Sequence, residues 1–315
     1  MGVSAALLIL FQVLWPKFRP RDDSKAVLLS FAGLSIGALV IAGPFVVYQQ
    51  LFQNCSIVIW FFTFVLSPVQ FKLIALWIFL LAFSIAIPLL FPALTNPKLV
   101  SACIRRKMYH LVILLVLWPG LAMEPNLSRL ACGGALFLLL LAEFMKMNKI
   151  PLFKELDSFW SGFTDSKDSG PITLSHIYLL LGCALPFFIS ETRPNRISCY
   201  SGLLSVAVGD AFAAVVGRTI GRVYWPGPGN KRTLEGSFGF IVSQIALIFL
   251  LQSTNTVSLL GYSAGFNIEL LCSFLFSIPI AFVAVVEAHC QHFDNIVLPA
   301  VSFILFRFLE IYIIY

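Results

Sequence analysis

Apolar stretches alternate with short polar connections along most of the chain. Stretches near the length of a membrane-crossing helix run over Ala26–Tyr48, Lys72–Leu94, Tyr109–Met123, Ser128–Met147, Ile172–Ser190, Ile197–Val216, Phe238–Leu251, Ile268–Val286 and Ile296–Ile314. A hydrocarbon core takes about 20 helical residues to cross, and several of these stretches are shorter, so their boundaries are soft. Val3–Trp15 and Ser56–Phe71 are weaker candidates of the same kind. The pattern predicts an all-α polytopic membrane protein with about nine to eleven transmembrane helices.

Composition strengthens this picture. Hydrophobic residues make up 59% of the chain and charged residues 11%, with a mean hydropathy of +0.92. A soluble domain carries about 25% charged residues. The amino terminus has no basic residue ahead of its apolar run and no small-residue cleavage site, which predicts a retained anchor rather than a cleaved signal. Seven cysteines, none in a C-x-x-C pair, argue against a zinc site and against a disulfide framework. The net charge of +6 suggests no nucleic-acid role, because membrane proteins gather Lys and Arg at their cytoplasmic ends. Cations fall in the loops around Lys98–Lys107, Lys146–Lys167 and Arg218–Arg232, which these stretches put on one side together with Glu287–Asn295. The connections at Glu124–Leu127 and Ser253–Gly265 are nearly free of them. The positive-inside rule makes the charged side cytoplasmic. The sequons at Asn54 and Asn126 lie too close to apolar stretches to be expected as glycosylation sites.

Against this background Asp210 stands out. A carboxylate inside an apolar span costs about 2.5–3.5 kcal/mol on insertion scales, so it is kept where it is paired, hydrated or bound to a cation. Gly209, Ala213, Gly217 and Gly221 follow at four-residue spacing and form one smooth stripe on a helix. Such a stripe reads as a packing seam for another helix. Running up from Asp210, it also reads as a groove for a lipid. Beyond it, Pro226, Gly227, Pro228 and Gly229 break regular structure and deliver Lys231 and Arg232 just before Thr233. A turn of this kind can set backbone N–H groups and two cations around a phosphate, but it lacks the P-loop spacing.

The stretch GD-x6-G-x3-G followed by WPG…KRT-x-EGS, spanning Gly209 to Ser237, resembles the CTP-binding region of dolichol kinases, a group related to phytol kinases and membrane cytidylyltransferases. Three further segments resemble the same family in the same order. Arg106, Lys107 and His110 match an R-K-x-x-H motif. The run Asp165, Lys167, Asp168, Gly170 and Pro171, followed by His176, matches a second segment. Glu287, Asp294, Asn295 and Pro299 match a third. The residues also admit plainer readings: an interfacial anchor at Arg105–Lys107, a helix-turn pair between Glu143 and Lys146, and a solvated loop before Gly170. In relatives the position of Arg232 is often Lys.

Phosphoryl transfer needs cations at the phosphates, a divalent metal held by carboxylates, and a group that takes the proton of the attacking hydroxyl. The resemblance implies a CTP-dependent dolichol kinase with Mg²⁺ or another divalent cation. Asp210, Glu287 and Asp294 are the expected metal ligands, and Asp294 or Glu235 the expected proton acceptor. Arg218, Trp225, Pro226, Gly227, Gly229, Lys231, Arg232, Thr233 and Gly236 are the expected CTP-binding residues. The expected acceptor is dolichol or another polyprenyl alcohol, in a multi-pass endoplasmic reticulum protein whose CTP loop faces the cytosol, with homodimerisation left open. Residues 1–104 are expected as an amino-terminal scaffold and 105–315 as the kinase region. A cytidylyltransferase making a CDP-lipid and a transporter are the rivals. The absence of a clear internal repeat and the gathering of charge on one face weigh against the transporter.

Overall fold

The computed structural model describes residues 57–94, 102–147, 175–190, 195–257, 274–290 and 293–314. These form α1 (Ile57–Val65), α2 (Pro68–Leu94), α3 (Ala102–Met123), α4 (Pro125–Met147), α5 (Ser175–Ile189), a 3-10 turn (Ile197–Tyr200), a π-helical segment (Leu203–Asp210), α6 (Ala211–Thr219), α7 (Leu234–Ser253), α8 (Ser277–His289) and α9 (Asp294–Ile314). No strand occurs among the described residues, and the one isolated antiparallel bridge joins Tyr224 to Thr233. Three described helices contain stretches long and apolar enough to cross a membrane: Pro125–Glu143, Leu234–Ser253 and Asp294–Tyr312. Shorter apolar helical stretches occupy Pro68–Phe83, His110–Met123, Ser175–Ile189 and Ser277–His289. The described residues are thus all-α, with helices that suit a membrane.

The apolar pattern located most elements and misjudged two. Ser56–Phe71, a weak candidate for one span, is broken at Leu66 and Ser67 between α1 and α2. Pro68 opens α2, because a proline is tolerated in a first helical turn but disfavours helix in the residue before it. Ile197–Val216 is helical but not a uniform α-helix, since it passes from a 3-10 turn through the π segment into α6. The stretch Val3–Trp15 and the span Ala26–Tyr48 lie outside the described residues.

The described chain falls into two compact units, and the one comprising Val65–Cys132 and Leu174–Tyr315 holds the residues discussed below. The π segment lies at its centre and touches α3, α5, α6, α7 and α9. Ser201 through Ala211 are all buried, as expected for a helical stretch that is apolar on every side. Tyr200, Phe187, Phe240, Phe276 and Phe306 fill the space around it. Two close approaches set the spacing of neighbouring helices. Gly182 lets α5 lie against the backbone of Asn295 and the ring of Pro299 on α9, and Trp77 on α2 donates its indole N–H to the Val116 carbonyl on α3 at 2.7 Å. Ser128 is buried and donates its hydroxyl to the Glu124 carbonyl at 3.1 Å.

The small-residue stripe proves to be a packing seam. A Cβ on Gly209 would come within 2.7 Å of the Gln244 amide nitrogen and 2.8 Å of the Phe240 ring, and one on Gly217 within 2.9 Å of the Thr233 hydroxyl. From the other side, a Cβ on Gly236 would meet the Ala213 carbonyl at 3.0 Å. Helix α7 therefore occupies the stripe, and the reading of this surface as a lipid groove is overturned. The missing side chains bring two helices together and leave no trough for a third partner.

Candidate active site

Four elements meet at the same end of this unit and each brings charge: α3 and α9 begin there, and α8 and the π segment end there. Lys107 sits near the start of α3, with His110 one turn on, so both side chains share a face and reach the last residue of the π segment, Asp210. The Lys107 ammonium is hydrogen-bonded and ion-paired to Asp210 Oδ2. His110 Nδ1 lies 3.6 Å from the same oxygen and 3.1 Å from the Val206 carbonyl within the π segment. Asp210 itself is 0% exposed. The cost of burying a carboxylate is met here by cations from a helix distant in sequence, which no local reading of the Asp210 stretch reveals.

Arg232 enters from the loop side. Its Nη1 lies 4.0 Å from Asp210 Oδ1 and 2.8 Å from Glu287 Oε1, and its Nη2 lies 3.5 Å from Asp294 Oδ2. The three carboxylates thus face one guanidinium. Glu287 is in the last turn of α8 and is buried, while Asp294 opens α9 and stays partly open to solvent. Asp210 Oδ1 and Glu287 Oε1 are buried without a hydrogen-bond partner, so the charge of Arg232 balances them without good hydrogen-bond geometry.

The arm carrying Arg232 is a hairpin-like loop. Trp225 N–H donates to the Arg232 carbonyl at 3.0 Å and Leu234 N–H to the Val223 carbonyl at 2.9 Å, flanking the Tyr224–Thr233 bridge. Gly227 and Gly229 at the tip have φ of 139° and 72°, values that a side chain would oppose, which is why this turn uses glycine. Asn230 locks the tip: its Oδ1 accepts from the Arg232 N–H at 2.9 Å and its Nδ2 donates to the Ala288 carbonyl at 3.0 Å. Trp225 donates its indole N–H to Ser237 at 2.9 Å and meets the His289 ring edge-on at 5.5 Å. Thr233 caps α7, its hydroxyl accepting from the Gly236 N–H at 3.1 Å.

The expected residues separate into those the fold gathers and those it does not. Lys107, His110, Asp210, Arg232, Glu287 and Asp294 meet around the carboxylates. Trp225, Pro226, Gly227, Gly229, Thr233 and Gly236 shape the loop. Asn295 follows Asp294, and its backbone N–H donates to Asp294 Oδ1 at 3.0 Å. Lys231 and Arg218 are exposed, the first beside the cluster in sequence and the second at the end of α6. Glu235 points elsewhere: its carboxylate accepts the Val223 N–H at 3.2 and 3.3 Å, bracing the loop. Arg106 lies on α3 and His176 in the first turn of α5. Asp165, Lys167 and Asp168 lie outside the described residues. No three His, Cys, Asp or Glu side chains among the described residues converge closely enough to hold a metal.

Three polar residues around this region carried no site expectation in the sequence. Asn230 and Ser237 position the loop, and nothing but proximity to the glycines marks them. Gln244, fully buried on α7 against Gly209 with neither amide atom hydrogen-bonded, was legible only as a single polar residue in an apolar run.

No family model matches the chain, and no solved structure matches it. Among curated proteins it is similar to Dolichol kinase EVAN of Arabidopsis thaliana, 33% identical over 251 residues, covering 78% of this chain and 42% of that protein. Dolichol kinase of Homo sapiens is 33% identical over 213 residues, 64% of this chain and 37% of the relative. Dolichol kinase of Saccharomyces cerevisiae is 25% identical over 279 residues, 88% of this chain and 49% of the relative. The chain thus spans less than half the length of each of these relatives. Over the residues so matched, the chain is similar to dolichol kinases.

Proposed function

We propose that this chain transfers the γ-phosphoryl group of CTP to the hydroxyl of a polyprenyl alcohol, dolichol in the first instance, releasing CDP and supplying the lipid carrier for protein glycosylation. The observation that carries the reading is the cluster of Lys107, Arg232, Asp210, Glu287 and Asp294 at one end of an apolar bundle. A polar nucleotide and a hydroxyl on a lipid meet only at such a boundary. Relatives named dolichol kinase supply the substrate class.

In this reading the alcohol oxygen forms a bond to the γ-phosphorus while the bond from that phosphorus to the β–γ bridging oxygen breaks. Arg232 and Lys231 bind the phosphates, Arg232 through its planar fork. Lys107 stays on Asp210 and fixes the orientation of that carboxylate. Asp294, partly open and free of the bracing role that holds Glu235, takes the proton of the alcohol. Asp210 and Glu287 present buried oxygens without hydrogen-bond partners, a donor set that suits a hard divalent cation such as Mg²⁺ once Arg232 has moved. Bound there, such a cation would neutralise charge on the transferring phosphoryl group. The same proposal holds nine to eleven spans in the endoplasmic reticulum membrane, residues 1–104 as scaffold, the Val223–Leu234 loop facing the cytosol, and a homodimer as the assembly to be tested by crosslinking.

Membranes containing the protein, incubated with a polyprenol and CTP labelled either on the γ-phosphate or in cytosine, test the reaction. Label reaching the lipid from the γ-phosphate alone is the expected result. Label arriving from cytosine would replace the kinase with a cytidylyltransferase, and label from neither would remove the enzymatic reading.

A further inference from the structure

The outward face of α7 shows on which side lipid lies. Leu234, Phe238 and Val242 recur every four residues on a helix long and apolar enough to cross a membrane, and all three are exposed, Phe238 at 68%. A bare apolar ridge on such a helix suits acyl chains. The ridge continues beyond the helix. Leu234 N–H donates to the Val223 carbonyl at 2.9 Å, and the Glu235 carboxylate accepts the Val223 N–H at 3.2 and 3.3 Å, so Val223 is fastened beside the first turn of α7. Val223 is exposed, and its neighbours Ile220 and Tyr224 are each 62% exposed. Single exposed apolar side chains are ordinary on a protein surface, but these three extend the α7 ridge past the start of the spanning stretch.

Charge accompanies them. Arg218, Arg222 and Lys231 are exposed on the same loop, and Glu235, engaged by the Val223 N–H and with Arg222 near it, is the one acid between Gly217 and Phe238. Apolar side chains, a tyrosine and cations at the end of a spanning helix are the chemistry of the membrane interface. The apolar groups enter the acyl boundary, the tyrosine ring crosses it with its hydroxyl among the headgroups, and the guanidinium meets phosphate. We propose that Ile220, Arg222, Val223 and Tyr224 form a foot that seats the Val223–Leu234 loop on the headgroups of anionic phospholipids. One side of the loop rests on lipid, while Arg232 on its returning arm reaches Glu287, so the seat sets the depth of the carboxylate cluster relative to the headgroups. The seat depends on the membrane setting of α7 and not on which reaction the cluster performs.

Photocrosslinking of the full chain tests the seat without turnover. A benzophenone-bearing residue replaces Tyr224 in one variant and Phe238 in another, and each is reconstituted into vesicles of phosphatidylcholine alone or mixed with phosphatidylserine. Illumination is expected to give phospholipid adducts at both positions, the one at 238 reporting that α7 is inserted with its ridge toward lipid. At 224, phosphatidylserine should be captured at least about threefold above its share of the mixture, and Arg222→Gln should lower that excess, because one cation at an anionic surface is worth a factor of this order. Capture at 238 with none at 224 overturns the proposal, as does capture at 224 that ignores headgroup charge or the loss of Arg222. Absence of capture at both positions also overturns it, since the ridge would then not face lipid. In cell membranes, a protein adduct at 224 in place of the lipid one would make this loop a protein-docking surface and discard the seat.

Discussion

Helix α9 carries a buried acidic site at each end, about 24 Å apart at 1.5 Å per residue, and the two are built differently. Near its carboxyl end, Glu310 is buried and fully engaged: Oε1 accepts the Ser198 backbone N–H at 2.9 Å, Oε2 accepts the Ser198 hydroxyl at 2.7 Å, and Arg307 stands 3.5 Å away. Ser198 lies in the 3-10 turn that leads into the central π segment, so Glu310 pins that entry to α9. At the amino end, Asp210 and Glu287 share cations with Asp294 and keep buried oxygens that accept no hydrogen bond. Two carboxylate sites in similarly apolar surroundings thus differ in what they leave unmade. A site whose bonds are complete stabilises the fold, whereas one with spare buried acceptors has capacity for a ligand.

Breaking the open end has the largest expected effect. Asp210→Asn removes the anion that Lys107 and Arg232 share and a ligand of the proposed divalent cation, so phosphoryl transfer per folded molecule should fall by about a hundredfold or more. Transfer of γ-label to polyprenol, normalised to inserted protein, measures it. Near-normal turnover would take Asp210 out of the site. At the closed end, Glu310→Gln gives up hydrogen bonds to a charged acceptor worth about 1.5–3 kcal/mol, and the expected result is a lower thermal midpoint in detergent. An unchanged midpoint would remove the contrast.

Smaller effects sharpen the comparison around the open end. Gly209→Ala would set a Cβ 2.7 Å from the Gln244 amide and 2.8 Å from Phe240, and overpacking of this kind destabilises by about 1–3 kcal/mol, read as a drop in thermal midpoint. Lys231→Gln removes an exposed cation beside the cluster. If Lys231 contacts phosphate in the bound state, kcat/KM for CTP falls by about tenfold, whereas an orientation anchor would leave it unchanged. Thr233→Ala deletes the α7 cap and lowers stability by about 1 kcal/mol, read as a small drop in thermal midpoint.

The sequence made the helical architecture legible because apolar length and polar interruption report directly on helices. It also isolated Asp210, since one acid in an apolar run is conspicuous. Other features were out of its reach for physical reasons. The π segment depends on tertiary packing around Leu203–Asp210, and nothing in a residue pattern distinguishes it from α-helix. Whether the glycine stripe faced a lipid or α7 was a question of which partner filled it, and Phe240, Gln244 and Thr233 answer it. Glu235 and Asp294 looked equivalent as acids next to family-like motifs, yet the loop amide of Val223 engages one and Arg232 the other. Glu310 escaped notice because its partner, Ser198, is 112 positions away and carries no charge. The pairing of Lys107 with Asp210 likewise spans 103 positions and became visible only in three dimensions.

The central claim is that the open cluster does chemistry while the closed one holds the fold, and a matched pair of substitutions tests it most directly. Glu287→Gln and Glu310→Gln make the same change in two buried glutamates, so differences in insertion or charge loss largely cancel. Transfer of γ-label from CTP to polyprenol is measured in the same membranes and divided by the folded fraction of each variant. The account predicts a loss of at least about tenfold for Glu287→Gln and a change within about twofold for Glu310→Gln. Equal losses, or a larger loss for Glu310→Gln, would contradict it.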